Sequence, residues 1–246
     1  MEEREYKVMF KAEDCHWWYR GMDAITKALL TEYLPAQTDL FILDAGCGTG
    51  KNMSDTLSRF GKVNGIDISS LALSFCQQRY LSRLSRSTIT ALPFPSNQFD
   101  LVTSFDVLYS RHVENDAIAI AELWRVLKPG GWILIRVASY EWLRGKHDIA
   151  VHTGRRYNRI TVKELLQHTG FSIEKLSYAN CFLFPLVAIK RFSEKFSNRS
   201  DSTSDVDPEP GLFNRLFMAI LSAEGPLIKA FGLPFGSSVV CLGRKE

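Results

Sequence analysis

Apolar positions recur along this chain in two alternating rhythms. Over residues 16–34 they fall at helical spacing, with Ile25, Leu29 and Leu30 on one face, and Pro35 closes the run. A short apolar stretch at 41–43 then ends in Asp44-Ala45-Gly46-Cys47-Gly48-Thr49-Gly50, the pattern of a strand entering a glycine-rich turn. The alternation continues with a helix over 51–60, a strand over 63–68, a helix over 70–84, a short strand at 88–90, a strand over 100–105 and a helix over 115–127. Lys128-Pro129-Gly130-Gly131 reads as a tight turn into a strand over 132–137. Thr161 and Glu164 have capping-box spacing for a helix that runs to His168 and is stopped by Gly170. Strands follow over 173–178 and 238–242. Strands alternating with helices predict βαβ units and a mostly parallel sheet.

One stretch breaks the rhythm. Residues 181–236 hold two apolar helical patterns on either side of a polar segment, 197–211, whose composition is that of a loop. The first pattern, over 182–196, carries Lys190, Arg191 and Lys195, with Arg199 just beyond, against Glu194. The second places Leu212, Phe213, Leu216, Phe217, Ile220 and Leu221 at helical spacing, and Leu227, Ile228 and Phe231 follow a break at Gly225-Pro226. The division expected is an N-terminal helical lid over 1–40, an α/β core over 41–180, a helical insertion or cap over 181–236, and a last core strand over 237–246.

Composition narrows the class. At 46% hydrophobic and 23% charged, the 246 residues are those of a globular protein. A net charge of +3 is too small to argue for nucleic acid. The five cysteines are scattered with no CxxC pair, which argues against a disulfide framework and against a metal site. The chain opens on charged residues, and its longest apolar run, 181–189, is broken by Pro185 and falls short of the roughly 20 residues of a membrane span. A cytoplasmic protein is expected, with peripheral membrane contact through 181–236 left open.

The chemistry centres on Asp44-x-Gly46-x-Gly48-x-Gly50. Glycines let a backbone turn tightly and approach a ligand. Asp67 ends the next strand 23 residues after Asp44, where a carboxylate holds ribose hydroxyls. A phosphate-binding loop fails here, because Asn52 follows Gly50-Lys51 and Ala45 stands at the first glycine position. A dinucleotide fingerprint also fails, because the third glycine comes one residue early. Asp44 itself repels a pyrophosphate and suits a cationic amine or sulfonium.

The series ILDAGCGTG, GIDIS, ALPFPSNQFDLVTSFDVL and ELWRVLKPGGWILI resembles class I S-adenosylmethionine-dependent methyltransferases, with methyltransferase type 11 as the nearest branch. The resemblance implies a Rossmann-like, seven-stranded, mostly parallel sheet and S-adenosylmethionine as cofactor. It also implies that Asp44, Gly46 and Gly48 lie along the methionine part, that Asp67 holds the ribose with Ile68 beside the adenine, and that Ala91 and Leu92 flank the adenine. Phe105, Asp106 and Val107 then close the pocket. Relatives often carry an acid just before the Ala91 position, where this chain has Thr90.

Methyl transfer needs a nucleophile in line with the departing sulfur, water excluded, and for some acceptors a base. His147 and His152, in an irregular stretch after the fifth strand, are the candidate bases, since imidazole takes a proton near neutral pH. Arg156 and Tyr157, with Tyr109 and His112 after the fourth strand, are candidate acceptor contacts, and Arg155 shares that stretch. Tyr19 belongs to His16-Trp17-Trp18-Tyr19-Arg20, an aromatic cluster whose faces attract a sulfonium. The expected acceptor is a small molecule, sugar-linked or lipid-linked, with no nucleic acid. The alternatives are a protein or RNA methyltransferase, or a cofactor-binding assembly or regulatory protein of the same fold; a nicotinamide enzyme is disfavoured by Asp44 and the glycine spacing.

Overall fold

The computed structural model describes residues 1–34, 39–196 and 211–246. Seven strands form one sheet: β1 (Leu40–Ala45), β2 (Gly61–Asp67), β3 (Leu84–Arg86), β4 (Phe99–Phe105), β5 (Leu127–Ala138), β6 (Phe171–Ala179) and β7 (Ser238–Lys245). Their order is β3-β2-β1-β4-β5-β7-β6. β1 pairs in parallel with β2 and β4, as do β2 with β3 and β4 with β5, whereas β7 runs antiparallel to both β5 and β6. The sheet is therefore the mostly parallel one the alternation predicts, with a single reversed strand inserted near one edge.

Central strands are apolar on both sides because both faces are covered. On β1, Leu43 and Ala45 point into one core and Ile42 into the other. The first core is capped by α5 (Asp116–Val126) and α7 (Arg159–His168), through Ile120, Leu123, Val162 and Leu166. The second is capped by α2 (Trp17–Tyr33), α9 (Asn214–Ser222) and α10 (Glu224–Ala230), through Ile25, Leu29, Leu221 and Ile228. The short α3 (Lys51–Asp55) and α4 (Ser70–Gln78) follow β1 and β2, while α1 (Glu3–Ala12), α6 (Lys146–Ala150) and α8 (Phe184–Phe196) surround the carboxyl ends of the strands.

Several local readings change. The third strand is Leu84–Arg86, paired to β2, and 88–90 is a turn joined to Ala91 by one bridge. Three β-branched residues misled, while the real edge strand, Leu-Ser-Arg, has too little apolar pattern to announce itself. The helix read over 70–84 stops at Gln78, and Tyr80 adopts φ 61°. The helix read over 51–60 breaks at Thr56 into a 3₁₀ turn over Leu57–Arg59. Lys128-Pro129-Gly130-Gly131 lies inside β5 as a bulge, where pairing with β4 jumps from Phe99/Leu127 to Leu101/Trp132. The cap of α7 is Asn158, whose Oδ1 accepts from the Thr161 N–H at 2.9 Å, so Thr161 sits inside the helix. Within the helical segment expected over 1–40, α1 is a second helix ahead of the one read over 16–34. Pro35, read as the stop of α2, and nearly all of the loop read over 197–211 lie outside the described residues.

Candidate active site

The strand ends of β1, β2, β4 and β5 open into a cavity of about 410 Å³. Its floor is the glycine-rich turn. The Gly46 and Cys47 N–H groups donate to the Ile66 carbonyl at 2.9 and 2.8 Å, which ties the turn to the end of β2. Gly46 and Gly48 hold φ of 89° and 54°, a region that side chains disfavour. A Cβ on Gly46 would sit 2.2 Å from Val107 Cγ2, so no larger residue fits there.

Asp67 stands beside this turn. Its Oδ2 accepts from the Gly48 N–H at 3.0 Å and its Oδ1 from the Ser69 N–H at 2.9 Å. The Tyr6 hydroxyl also points at Oδ1, but at 3.4 Å, longer than a good hydroxyl–carboxylate bond. Burial raises the Asp67 carboxyl above its ordinary range. Asp44 does not line the cavity; it lies beneath the turn at the end of β1, 1% exposed. Its Oδ1 accepts from Thr103 Oγ1 at 2.8 Å, and its Oδ2 has no partner among the described residues. Burial pushes this carboxyl up to about 7.

α1 covers the turn from outside. Met9 reaches over Gly48, and Glu13 accepts from the Thr49 hydroxyl and from Arg79 Nη2, both at 2.5 Å. Phe10 stacks on Phe75, with centroids 4.6 Å apart, beneath the Arg79 guanidinium. The Met1 amine lies 3.3 Å from His152 Nδ1. That contact explains a departure from expectation: His152 braces the chain's first residue and does not line the cavity, and burial together with the neighbouring amine lowers its pKa.

Beyond the turn the cavity becomes polar. Arg136, a cation in the apolar second half of β5, grips Asp106 through Nη2 at 2.6 Å and Nε at 2.7 Å, and lies 5.0 Å above the Phe105 ring. Tyr19 and Tyr109 face the same chamber, and burial drives both phenols above their ordinary range, so they stay protonated. His112 and His147 line it as well. Arg156 also reaches it, but its fork is committed to Asp148, with Nε–Oδ1 and Nη2–Oδ2 both at 3.0 Å, and to the Ser139 carbonyl at 2.8 Å. At the far side Asn180, at φ 58°, donates from Nδ2 to Ser237 Oγ at 2.8 Å, and its Oδ1 is buried without a partner among the described residues.

Of the residues singled out from sequence, Gly46, Gly48, Asp67, Ile68, Phe105, Asp106, Tyr19, Tyr109, His112, His147 and Arg156 share this cavity. Four more, besides Asp44, are elsewhere. Tyr157 is a core residue whose hydroxyl is held by Asp116 Oδ2 at 3.0 Å. Ala91 and Leu92 leave the wall because 88–90 turns, and the Leu92 N–H is spent on Glu122 at 2.8 Å. Ser87, Thr88 and Ile89 line the wall instead. His152 is the fourth. Arg136 was legible, as a charge in Ile-Leu-Ile-Arg-Val-Ala; Asn180, Tyr6 and Glu13 carry no local signal.

Residues 43–135 match the family model Methyltransf_11, a methyltransferase domain. The chain is 27% identical over 163 residues to a Mycolicibacterium smegmatis protein named a probable S-adenosylmethionine-dependent methyltransferase, covering 65% of this chain and 61% of that one. It is 32% identical over 139 residues to a ubiquinone/menaquinone biosynthesis C-methyltransferase of Shewanella piezotolerans, covering 52% and 53%. A tRNA (carboxymethyluridine(34)-5-O)-methyltransferase of Arabidopsis thaliana is 35% identical over 127 residues, or 51% of this chain and 29% of that protein. The chain thus spans between about a third and three fifths of these relatives. In fold it is similar to the Haloferax volcanii methyltransferase solved with the Trm112 methyltransferase activator, with TM-score 0.61 at 18% identity and coverage of 98% and 93%. It is also similar to geranyl diphosphate methyltransferase, with TM-score 0.59 at 16% identity and coverage of 90% and 77%. With the matched segment running from the glycine-rich turn into β5, residues 43–135 are a methyltransferase domain, and the chain is similar to an S-adenosylmethionine-dependent methyltransferase in sequence and to methyltransferases in fold.

Proposed function

We propose that this chain transfers a methyl group from S-adenosylmethionine to a small acceptor, sugar-linked or lipid-linked, bound in the polar half of the same cavity. One observation carries the reading: a single chamber joins the glycine turn and Asp67 to a second region that holds Arg136, His147 and Asn180.

The residues present fit the cofactor. Asp67 keeps two backbone donors and a loose third contact to Tyr6, which ribose hydroxyls would replace at better distance. Ile68 and Ile89 offer apolar walls to a purine. The carboxylate of Asp44, with a free oxygen beneath the turn, supplies negative potential for a cationic ligand end. When bound, the cofactor supplies a methyl group on a sulfonium, open to in-line attack. Trp17, Trp18 and Tyr19 present aromatic faces to such a cation. Tyr19 and Tyr109 remain hydrogen-bond donors that orient an acceptor oxygen. Three histidines line the cavity; His16 Nδ1 accepts from the Trp18 N–H at 3.3 Å, and His147 and His112 are the candidates to take the acceptor's proton. Residues of α1, α2 and α8 line the chamber.

Calorimetric titration of the purified chain with S-adenosylmethionine, S-adenosylhomocysteine and NAD tests this reading. Micromolar binding of the first two and none of NAD is expected. Asp67→Ala is expected to weaken the first two by about 1–3 kcal/mol, the value of hydrogen bonds to a charged group. Absence of S-adenosyl ligand binding, or an unchanged affinity in Asp67→Ala, overturns the site.

A further inference from the structure

The polar half of the cavity holds hydrogen-bonding groups that the chain leaves unspent. Arg136 puts both Nε and Nη2 on one oxygen of Asp106, Oδ2, so Arg136 Nη1 and Asp106 Oδ1 have no partner among the described residues. The Tyr19 and Tyr109 hydroxyls, which face the same chamber, have none either. Burial, with Asp106 among the nearby carboxylates, holds both phenols protonated. Asn180, 0% exposed, is tied to Ser237 at one end of its amide and to nothing at the other. Asp106 and Asn180 are the first residues after β4 and β6, and both hold left-handed backbone, at φ 61° and 58°, which Asp and Asn tolerate better than most side chains. A buried polar group without a partner costs free energy that a ligand returns by bonding to it.

The arginines around these groups are already matched by carboxylates. Arg136 pairs with Asp106 at 2.6 Å, Arg156 with Asp148 at 2.9 Å and Arg191 with Glu194 at 3.0 Å, and none of the three arginine side chains is more than 10% exposed. Lys190 and His147, which also line the chamber, have contacts of their own. A phosphate, carboxylate or ammonium on a ligand would bring a net charge into a region whose own charges are spent on one another, and would lose its hydration without a counter-charge. A hydroxyl brings no charge. It donates once and accepts twice, so a single hydroxyl cannot serve Arg136 Nη1, Asp106 Oδ1, both phenols and the Asn180 amide, whereas two or more can.

We infer that the polar half of the cavity recognises an uncharged acceptor bearing two or more hydroxyl groups, a sugar or another polyol. Asp106 and Asn180 select for hydroxyls from the ends of β4 and β6, and Arg136 and the two phenols complete the set. The neutral Asp106–Arg136 pair is what turns away charged analogues. That such a molecule receives a methyl group rests on the methyl-transfer reading above; that the chamber binds it does not.

Titration of the full chain with matched probes, followed by ligand-observed NMR with and without S-adenosylhomocysteine, tests this. The uncharged probes are the methyl glycosides of glucose, galactose and mannose, and inositol; the charged ones are the uronic acid and the amino sugar of each hexose. At least one uncharged probe is expected to bind, at least about tenfold more tightly than the charged ones. Binding of inositol alone assigns the chamber to a polyol other than a hexose. Asp106→Asn keeps an acceptor for Arg136 but leaves its charge unmatched, so the uronic acid is expected to gain at least about tenfold relative to the uncharged probe. Asn180→Gly, which suits the φ of 58°, is expected to weaken the uncharged probe about tenfold. Cooperative urea unfolding shows that each variant is folded, and the comparison of charged with uncharged probes needs neither. Absence of binding by every uncharged probe overturns the proposal, as does a charged probe that binds the wild type as tightly, or an unchanged pattern in both variants. If S-adenosylhomocysteine binds while the probes fail, the methyl-transfer reading stands without this acceptor class. If the probes bind as expected and S-adenosylhomocysteine does not, the methyl-transfer reading falls and the chamber keeps its hydroxylated ligand.

Discussion

Asp44 sets a conflict between stability and ligand binding. Its ionised form is disfavoured by burial, with one hydrogen bond to Thr103 and one oxygen unpaired. Because the folded pKa lies above that of the unfolded chain, folding incurs no cost from this group at acid pH; the cost grows from about pH 4 and is complete above about pH 7. Asp44→Asn keeps the acceptor for Thr103 and removes the charge. It is expected to raise the stability of the ligand-free protein by about 1–3 kcal/mol at pH 8, with the gain fading toward pH 4, as read by urea unfolding. Under the proposed function the same carboxylate would attract a cationic ligand. Affinity for S-adenosylmethionine is therefore expected to rise with pH through about 7 in the wild type and to stay flat in Asp44→Asn. Equal pH profiles in calorimetry would remove Asp44 from the electrostatics of the site.

Between elements, the packing of α2 on α9 turns on one residue. Gly21 is one point where the two helices touch, and a Cβ there would lie 2.6 Å from Leu221 Cγ and Cδ2, in a side chain that is fully buried. Alanine in a helix is ordinarily favoured over glycine by about 1 kcal/mol. Here it forces a buried leucine aside, at a cost of about 1–3 kcal/mol, and the clash wins. Gly21→Ala is expected to destabilise the chain by about 1–2 kcal/mol in urea unfolding, and Gly21→Ala/Leu221→Ala to cost less than the sum of the two single changes. A stabilised Gly21→Ala chain would show that the helices separate freely. The contact also divides the stretch read from sequence as one insertion: α9 and α10 pack into the core beneath the sheet, and α8 is the helix of that stretch that lines the cavity among the described residues.

At the scale of the whole molecule, α1 and the glycine turn form a closed pair. Tyr6, Met9 and Glu13 contact Asp67, Gly48 and Thr49 in turn, so the first helix lies along the surface where the cofactor is proposed to bind. We read α1 as the lid expected of residues 1–40. An occupied site beneath a lid raises the free energy of opening it. Backbone amides of Glu3–Ala12 are accordingly expected to exchange with deuterium several-fold more slowly when S-adenosylhomocysteine is added. Unchanged exchange there would make α1 a fixed wall.

The sequence by itself determined the α/β alternation, the glycine turn and the two carboxylates that frame it. These are local: a turn with φ above zero selects glycine, a doubly covered strand selects apolar runs, and a strand end fixes where Asp67 stands. Only the tertiary structure decided which polar residues share the cavity. His147 and His152 lie five positions apart and read alike, yet one lines the chamber and the other braces the Met1 amine. Arg156 and Tyr157 are neighbours, yet one reaches the cavity and the other is held in the core by Asp116. Asn180 and Tyr6 lie far apart in the chain. Their meeting depends on how the sheet orders β6 and β7 and on where α1 folds back, and packing among distant residues sets both.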